Sequence, residues 1–388
     1  MTQNPRAIVA DGFAPRLALF YAGFFLAAGV QLPFFPAWLA AKGLDSRAIG
    51  LVLAAPLVAR LVAIPVVTRL ADRSGALRGT LMATAAAAAL GYGLIGLAHG
   101  FFAILALAVL AAVALAPTMP LADAYALRGL KVRGGAYGPV RLWGSVAFIV
   151  ANLAGGFALD LMSRVDLIWL IVAGFAVTAV AAFALAPVAV AGPPTSRAVA
   201  EARPRRLPMF LAVTASAGLV QASHAVYYGF STLDWSAKGL DGAAIGALWA
   251  LGVLAEIALF AVSARLPRRL GPLGLIGLGA LGGAMRWAAM ALDPPVALLP
   301  VLQCLHGLSF GATHLGAVQF LARSVSERHG AAAQGDFSTI LGVATAASMS
   351  LAGVLYGAYG THAYGAMAAL AGAGGLLVVA AARMARSE

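Results

Sequence analysis

Apolar residues run through this chain in long stretches, and polar residues gather in short clusters between them. A helix needs about 20 mostly apolar residues to cross the hydrocarbon core of a bilayer. Stretches of that kind lie at approximately 15-40, 47-68, 79-98, 101-126, 139-162, 166-188, 208-233, 243-265, 272-292, 295-321, 332-358 and 361-383. The pattern therefore predicts an all-α integral membrane protein with twelve transmembrane helices. The first stretch follows Arg6 and Arg16 and stays apolar to Leu39. A signal-peptide core has only about 7 to 15 residues, so this one reads as an uncleaved span.

Composition agrees with the pattern. The 388 residues are 62% hydrophobic and 10% charged, which excludes a soluble globular protein and a disordered one. The formal net charge of +12 could suit nucleic acid, but the basic residues sit in the loops between apolar stretches, as cytoplasmic loops do, and no nucleic-acid partner is expected. With the N-terminus in the cytoplasm, that side would carry 20 of the basic residues, and the other side only Lys42, Arg47, Arg164 and Lys238. The asymmetry puts both termini inside. Arg60 and Arg286 fall in mid-span. Cys304 is the only cysteine, so no intramolecular disulfide and no cysteine-built metal site can form.

The longest polar connection, about Val190 to Leu207, holds Gly192-Pro193-Pro194, Pro204 and four arginines. Such a composition marks a linker. It divides the chain into an N-terminal half (1-189), a cytoplasmic linker (190-207) and a C-terminal half (208-388). The halves are related: a shift of 196 residues lays the ten residues from Ala41 to Gly50 on those from Ala237 to Gly246 with eight identities, and continues into Arg69-Leu70 over Arg265-Leu266. That shift spans an even number of helices, so the two six-helix, pseudo-symmetric halves are parallel. Parallel halves with a substrate site near the midplane are the arrangement described for major facilitator transporters.

Particular segments carry a resemblance to that superfamily. Residues 68-75, Thr68 to Gly75, resemble its signature between helices two and three, with Thr68 where the signature has a glycine; Arg69, Asp72, Arg73 and Gly75 would be its gating residues. Leu32-Pro33-Phe34-Phe35, Val58-Ala59-Arg60, Pro120 to Asp123, Val140 to Phe148, His224 to Ser231, Leu248 to Glu256 and Arg286-Trp287 are similar to the 3-phenylpropionate transporter branch, itself related to lactose permease. The resemblance implies a multi-pass protein of a bacterial inner membrane, working as a monomer on a small solute by alternating access.

Charge inside the spans is the richest source of candidate chemistry, because a central charge costs roughly 2.5 to 3.5 kcal/mol on insertion scales. Arg60, Asp123, Arg141, Glu256 and Arg286 qualify, with His224, His306 and His314 as titratable companions; the alternative is that the charges pair to lock helices together. Arg60 and Glu256 differ by 196 and occupy equivalent places in the two halves. Glu256 is the only glutamate in any span, which makes it the first candidate for proton coupling, with His306 and Asp336 as substitutes. Asp123 and Arg141 flank one loop, and a helical hairpin can bring them together. The resemblance to lactose permease implies a substrate role for that pair. Arg286 and His306 are separated by 20, as in the same pattern, but Ser309 stands where it has a glutamate, so its proton-carrying role does not carry over there.

Arg141, Ser145, Phe148 and Asn152 share one helix face, as do His306, Phe310, Thr313 and His314, then Gln221, His224 and Tyr228, and Gln31, Phe34, Phe35 and Trp38. Tyr125 and Trp249 complete the inventory for a cavity wall. Aromatics in spans are more often packing or interfacial belt than ligand contacts. The eight residues from His306 to His314 are about 12 Å of helix rise, which does not suit a two-histidine metal site.

Several functions compete. An ATP-driven pump would need a phosphate-cradling Gly-Lys-Ser or Gly-Lys-Thr, which does not occur. A membrane-embedded enzyme would need a nucleophile, a base and oxyanion donors in one place. Drug efflux antiporters of the superfamily typically carry a Gly-Pro motif in helix five, and residues 141-156 have no proline. Proton-driven uptake of an aromatic monocarboxylate is the favoured reading, a sugar or nucleoside symporter the next. The proton gradient would supply the energy, with no cofactor and no metal.

Overall fold

The computed structural model describes residues 12–188, 207–265, 267, 270–324 and 330–386, and among these every regular element is helical. The helices are α1 (Phe13–Ala41), α2 (Ser46–Ser74), α3 (Leu77–Leu97), α4 (Phe101–Arg133), α5 (Tyr137–Leu161), α6 (Leu167–Phe183), α7 (Leu207–Ala222), α8 (Ala225–Ala237), α9 (Gly242–Val262), α10 (Gly271–Ala291), α11 (Leu299–Cys304), α12 (Thr313–Ser324), α13 (Gly330–Tyr359) and α14 (Tyr364–Arg386). Two pairs make single passes: α7 and α8 within Leu207–Ala237, and α11 and α12 within Val296–Ser324. The last apolar stretch, Gln334–Ala385, is folded back at a 3-10 turn, Gly360–Ala363, into two passes. The described helices thus supply the twelve spans, and those of 21 residues have about 31 Å of rise against a core of about 30 Å. The 190-207 linker lies outside the described residues, apart from Leu207 at the start of α7.

The described residues form two compact units. One runs to Gly43 and resumes at Ala59; the other takes in Leu44–Val58 and the helices from residue 207 onward. The first half drawn from the sequence therefore loses residues 44–58 to the second unit. There Gly50 meets Gly353 so closely that a Cβ on Gly50 would lie 2.8 Å from the Gly353 Cα.

Small residues bring the helices together in each unit. A methyl on Gly174 would sit 2.7 Å from the Ala27 nitrogen, and one on Gly29 would sit 2.7 Å from the Phe148 carbonyl oxygen, so α1 packs directly on α6 and α5. Apolar burial gives little drive between helices already in lipid, and close backbone approach supplies van der Waals contact instead. In the second unit Ser216 Oγ donates to the Gly374 carbonyl at 2.6 Å, tying α7 to α14.

The 196-residue repeat is visible in the backbone. Gly43 and Gly239 both turn the chain after a helix with positive φ, 84° and 83°. Asp45 and Asp241 then accept the amide protons of Ala48 and Ala244 at 2.8 and 2.7 Å, capping the next helix. Gly75 and Gly271, also 196 apart, have φ of 64° and 52°. The side chains diverge where the backbones agree. Lys42 lies 5.6 Å from the Trp38 ring centroid, whereas Lys238 pairs with Asp234 at 3.0 Å and Asp293 at 2.6 Å. Burial pulls the Lys238 ammonium down, but the two carboxylates outweigh it and hold its pKa above the ordinary value.

Candidate functional site: two intramembrane polar clusters

In the first unit the acid and arginine of the α4–α5 hairpin are not paired. Asp123 Oδ1 accepts the hydroxyls of Tyr21 at 2.7 Å and Tyr137 at 2.8 Å. Arg141 lies instead over the faces of Phe25, 4.0 Å from the centroid, and Tyr21, 5.6 Å. Tyr21 is thus the shared element, meeting the acid through its hydroxyl and the guanidinium through its ring. Farther along, Gln31 Nε2 donates to the Tyr92 hydroxyl. Arg60 is exposed, interacts electrostatically with Tyr92 and has no hydrogen-bond or ion-pair partner among the described residues.

Most first-unit aromatics of the predicted cavity make contacts within the unit. Phe34 and Trp38 are fully buried; Phe34 fills the space over Gly155, and Trp38 donates its indole N–H to the Val165 carbonyl at 3.0 Å. Phe35 stacks on Trp38 at 5.5 Å. Tyr125 donates to the Ala186 carbonyl and stacks on Phe13. Asn152 differs from these, for it is fully buried with neither amide atom hydrogen-bonded. Most buried polar groups in proteins have a partner.

The second unit holds a larger cluster built on α7, α8, α10 and the pass containing α11 and α12. Arg286 is fully buried. Its Nη2 donates to Gln303 Oε1 at 2.6 Å, and its Nη1 to His306 Nδ1 at 3.0 Å and Ser309 Oγ at 3.4 Å. The guanidinium also lies 4.7 Å from the Tyr227 ring and 4.4 Å from the Trp287 ring. Because arginine only donates, His306 Nδ1 is the accepting nitrogen. His224 is set the other way: Nδ1 faces the carbonyls of Val220 (3.2 Å) and Gln221 (3.1 Å), so Nδ1 donates, and Nε2 accepts from Ser309 Oγ at 3.1 Å. The break between α7 and α8 allows this, since at Ser223 and His224 the side chains turn back onto the preceding turn.

A π-helical turn, Gly307–Ala312, interrupts the tenth pass. Its glycines seat it on α9: a Cβ on Gly307 would lie 2.7 Å from the Ala255 carbonyl oxygen, and one on Gly311 would lie 3.4 Å from the Glu256 Cγ. Wider turns of this kind are frequent at functional sites. His306 stacks on Phe310 at 5.2 Å, and Phe310 on His314 at 6.1 Å. Thr313, expected on that face, points elsewhere: it is buried and bonded to the Ser309 carbonyl, and a Cβ on Gly279 of α10 would strike its hydroxyl. Glu256 is half-buried beside the turn, without a hydrogen bond or a cation among the described residues. Tyr228 stacks on His224 at 5.5 Å and Trp249 on Tyr227 at 4.4 Å, closing an aromatic wall.

Among the remaining candidates, Asp336 is exposed near the start of α13, apart from both clusters. In the gating segment Asp72 pairs with Arg128 of α4 at 3.3 Å, Arg69 and Arg73 are exposed, and Gly75 supplies the positive φ that ends α2. Tyr21, Tyr92, Tyr137, Tyr227 and Gln303 were not among the sequence candidates. Gln303 precedes His306 by three residues, one helical turn, and that spacing could have found it.

Twelve apolar passes in two duplicated sets, with polar clusters buried inside the spans, make the architecture of a major facilitator transporter. Residues 15–365 match the MFS_1 like family, and the chain belongs to it. It is 33% identical over 321 residues to a probable 3-phenylpropionic acid transporter of Escherichia coli K12, covering 79% of this chain and 81% of that protein. To a maltose permease of Geobacillus stearothermophilus it is 30% identical over 320 residues, covering 80% and 79%. The crystal structure of the nucleoside transporter NupG superposes with a TM-score of 0.80 at 16% identity, over 96% of this chain and 98% of that one. At that identity the likeness speaks for the fold.

Proposed function

We propose that the protein takes up a small aromatic monocarboxylate with protons, by alternating access, as a monomer needing no cofactor. The observation that carries this is an uncompensated positive charge. Arg60, Arg141 and Arg286 all lie within spans, and none has a carboxylate within ion-pair distance among the described residues. A cation in a bilayer interior that the protein leaves unpaired suits an anionic solute. Arg60 is the best placed of the three, because Arg141 rests on Phe25 and Arg286 is buried among Gln303, His306 and Ser309. The relation to the probable 3-phenylpropionic acid transporter supports the same class. Unpartnered Asn152, with the relation to a maltose permease, favours a sugar as the second reading. Glu256 is proposed as the proton site.

Proteoliposomes offered phenylpropionate, benzoate, lactose and a nucleoside test the class. Saturable uptake of the aromatic acids, stimulated by an alkaline interior, is expected; uptake of the sugar or nucleoside alone would overturn the assignment. The proposed orientation, in a bacterial inner membrane with both termini cytoplasmic, rests on the loop charges. In a Cys304→Ser background, Lys42→Cys and Lys238→Cys should react with an impermeant maleimide added outside intact cells. Reaction only after the cells are opened would reverse the topology.

A further inference from the structure

Two titratable side chains of the second unit border one seam without a hydrogen bond or an ion pair among the described residues: Glu256 of α9 and His314 of α12. The seam is the contact between α9 and the pass that holds the π-helical turn and α12, and two contacts fix its register. A Cβ on Gly311 would lie 3.4 Å from the Glu256 Cγ. One turn further along both helices, the ring centroids of Phe260 and His314 are 6.4 Å apart. Glu256 and Phe260 are four residues apart, and Gly311 and His314 three, so each pair shares a helix face. The carboxyl and the imidazole therefore flank the same seam, offset by about 5 Å of helix rise.

The other ionisable groups near this pass are engaged or stand apart. His224 and His306 are buried in the cluster around Arg286, each with a ring nitrogen accepting a hydrogen bond. Arg286 of α10 is taken up by Gln303, His306 and Ser309, and Asp336 of α13 is exposed near the start of its helix. Tyr228 of α8 lies within electrostatic range of Glu256. His314 is exposed, whereas Glu256 is half-buried, and it meets the Arg286 cluster through Phe310, on which it stacks at 6.1 Å. In the orientation read from the loop charges, α9 and the tenth pass both run toward the cytoplasm, which makes His314 the cytoplasmic neighbour of Glu256.

We infer that His314 relays the proton of Glu256 to the cytoplasmic side. The inference rests on Glu256 as the proton site. An offset of one turn suits a single bridging water. The carboxylic acid gives its proton to that water, the water gives one of its own to the free imidazole nitrogen, and a carboxylate and an imidazolium result. The imidazolium then passes the proton to cytoplasmic water as hydronium, which restores the neutral ring. Imidazole is the side chain whose ordinary range allows both uptake and release of a proton near neutrality.

Infrared difference spectroscopy of the full chain in nanodiscs, after a jump to alkaline pH, tests the relay without a solute. The carboxylic C=O band that is missing from Glu256→Gln reports the Glu256 proton. In His314→Gln that band should keep its amplitude while its decay slows about 100-fold, the scale of a positioned acid–base group, and added imidazole should restore the rate. His314→Asn, shorter and equally unable to relay, should behave alike. Decay at the wild-type rate in these variants would overturn the relay and leave Glu256 as the proton site. Slow decay that imidazole does not restore would also overturn it, since that marks a packing role. A band that Glu256→Gln retains would overturn the proton site itself.

Discussion

Glu256→Gln is expected to abolish accumulation driven by a pH gradient while leaving exchange of the solute down its own gradient intact. The carboxyl sits in α9 against Gly311 of the π-helical turn, half-buried, with neither a hydrogen bond nor a cation beside it among the described residues. With no partner to neutralise it, its charge is switched only by a proton. The amide keeps the shape and removes the switch. Each pH unit is worth about 1.4 kcal/mol, so symport of one proton sustains about tenfold accumulation per unit of gradient. In the variant that ratio should fall to one, measured as labelled solute inside proteoliposomes at steady state. Persistent gradient-driven accumulation would place proton coupling on another group, and His306 would be the next to substitute.

The second large effect is expected at Arg60. Arg60→Lys retains the charge but not the planar fork that can hold a carboxylate by two parallel hydrogen bonds. Hydrogen bonds to charged groups contribute roughly 1.5 to 3 kcal/mol, so the KM for an aromatic acid should rise about 10- to 100-fold with a smaller change in the maximal rate. Arg141→Lys should cost less, since the Arg141 guanidinium lies 4.0 Å from the Phe25 ring and lysine can keep part of that cation–π contact. An unchanged KM in Arg60→Lys would remove this residue from the binding of the anion.

The passes and the duplication were legible in the sequence because both are written in one dimension. Apolar run length is set by the bilayer, and identity at a fixed shift needs no geometry. What side chains do across helices is a different kind of information. Trp38, Phe34 and Tyr125 satisfy every rule for an aromatic cavity wall, yet Trp38 and Tyr125 spend their polar atoms on the carbonyls of Val165 and Ala186, and Phe34 fills the space over Gly155. Periodicity gives the face on which a residue lies, not the neighbour that face meets. The pair Asp123 and Arg141 illustrates the same limit. Their spacing permits contact, but two tyrosine hydroxyls reach the acid. Thr313 left its expected face for a further reason, a π-helical turn that adds a residue where an α-helix was assumed. Arg286 and His306, separated by 20, do meet, at 3.0 Å, but the separation alone does not state a contact.

The duplicated turns make the molecule its own alignment. Gly43 and Gly239, Asp45 and Asp241, and Gly75 and Gly271 agree between the halves, and each does a backbone task, a left-handed turn or a helix cap. Trp38 and Asp234, and Arg60 and Glu256, disagree, and each places a different chemistry at an equivalent position. Positions held in common are those where both halves need the same backbone geometry, and positions that differ are those where the halves carry different side-chain chemistry. Arg60 and Glu256 are one such difference, a cation in one half where the other has an acid.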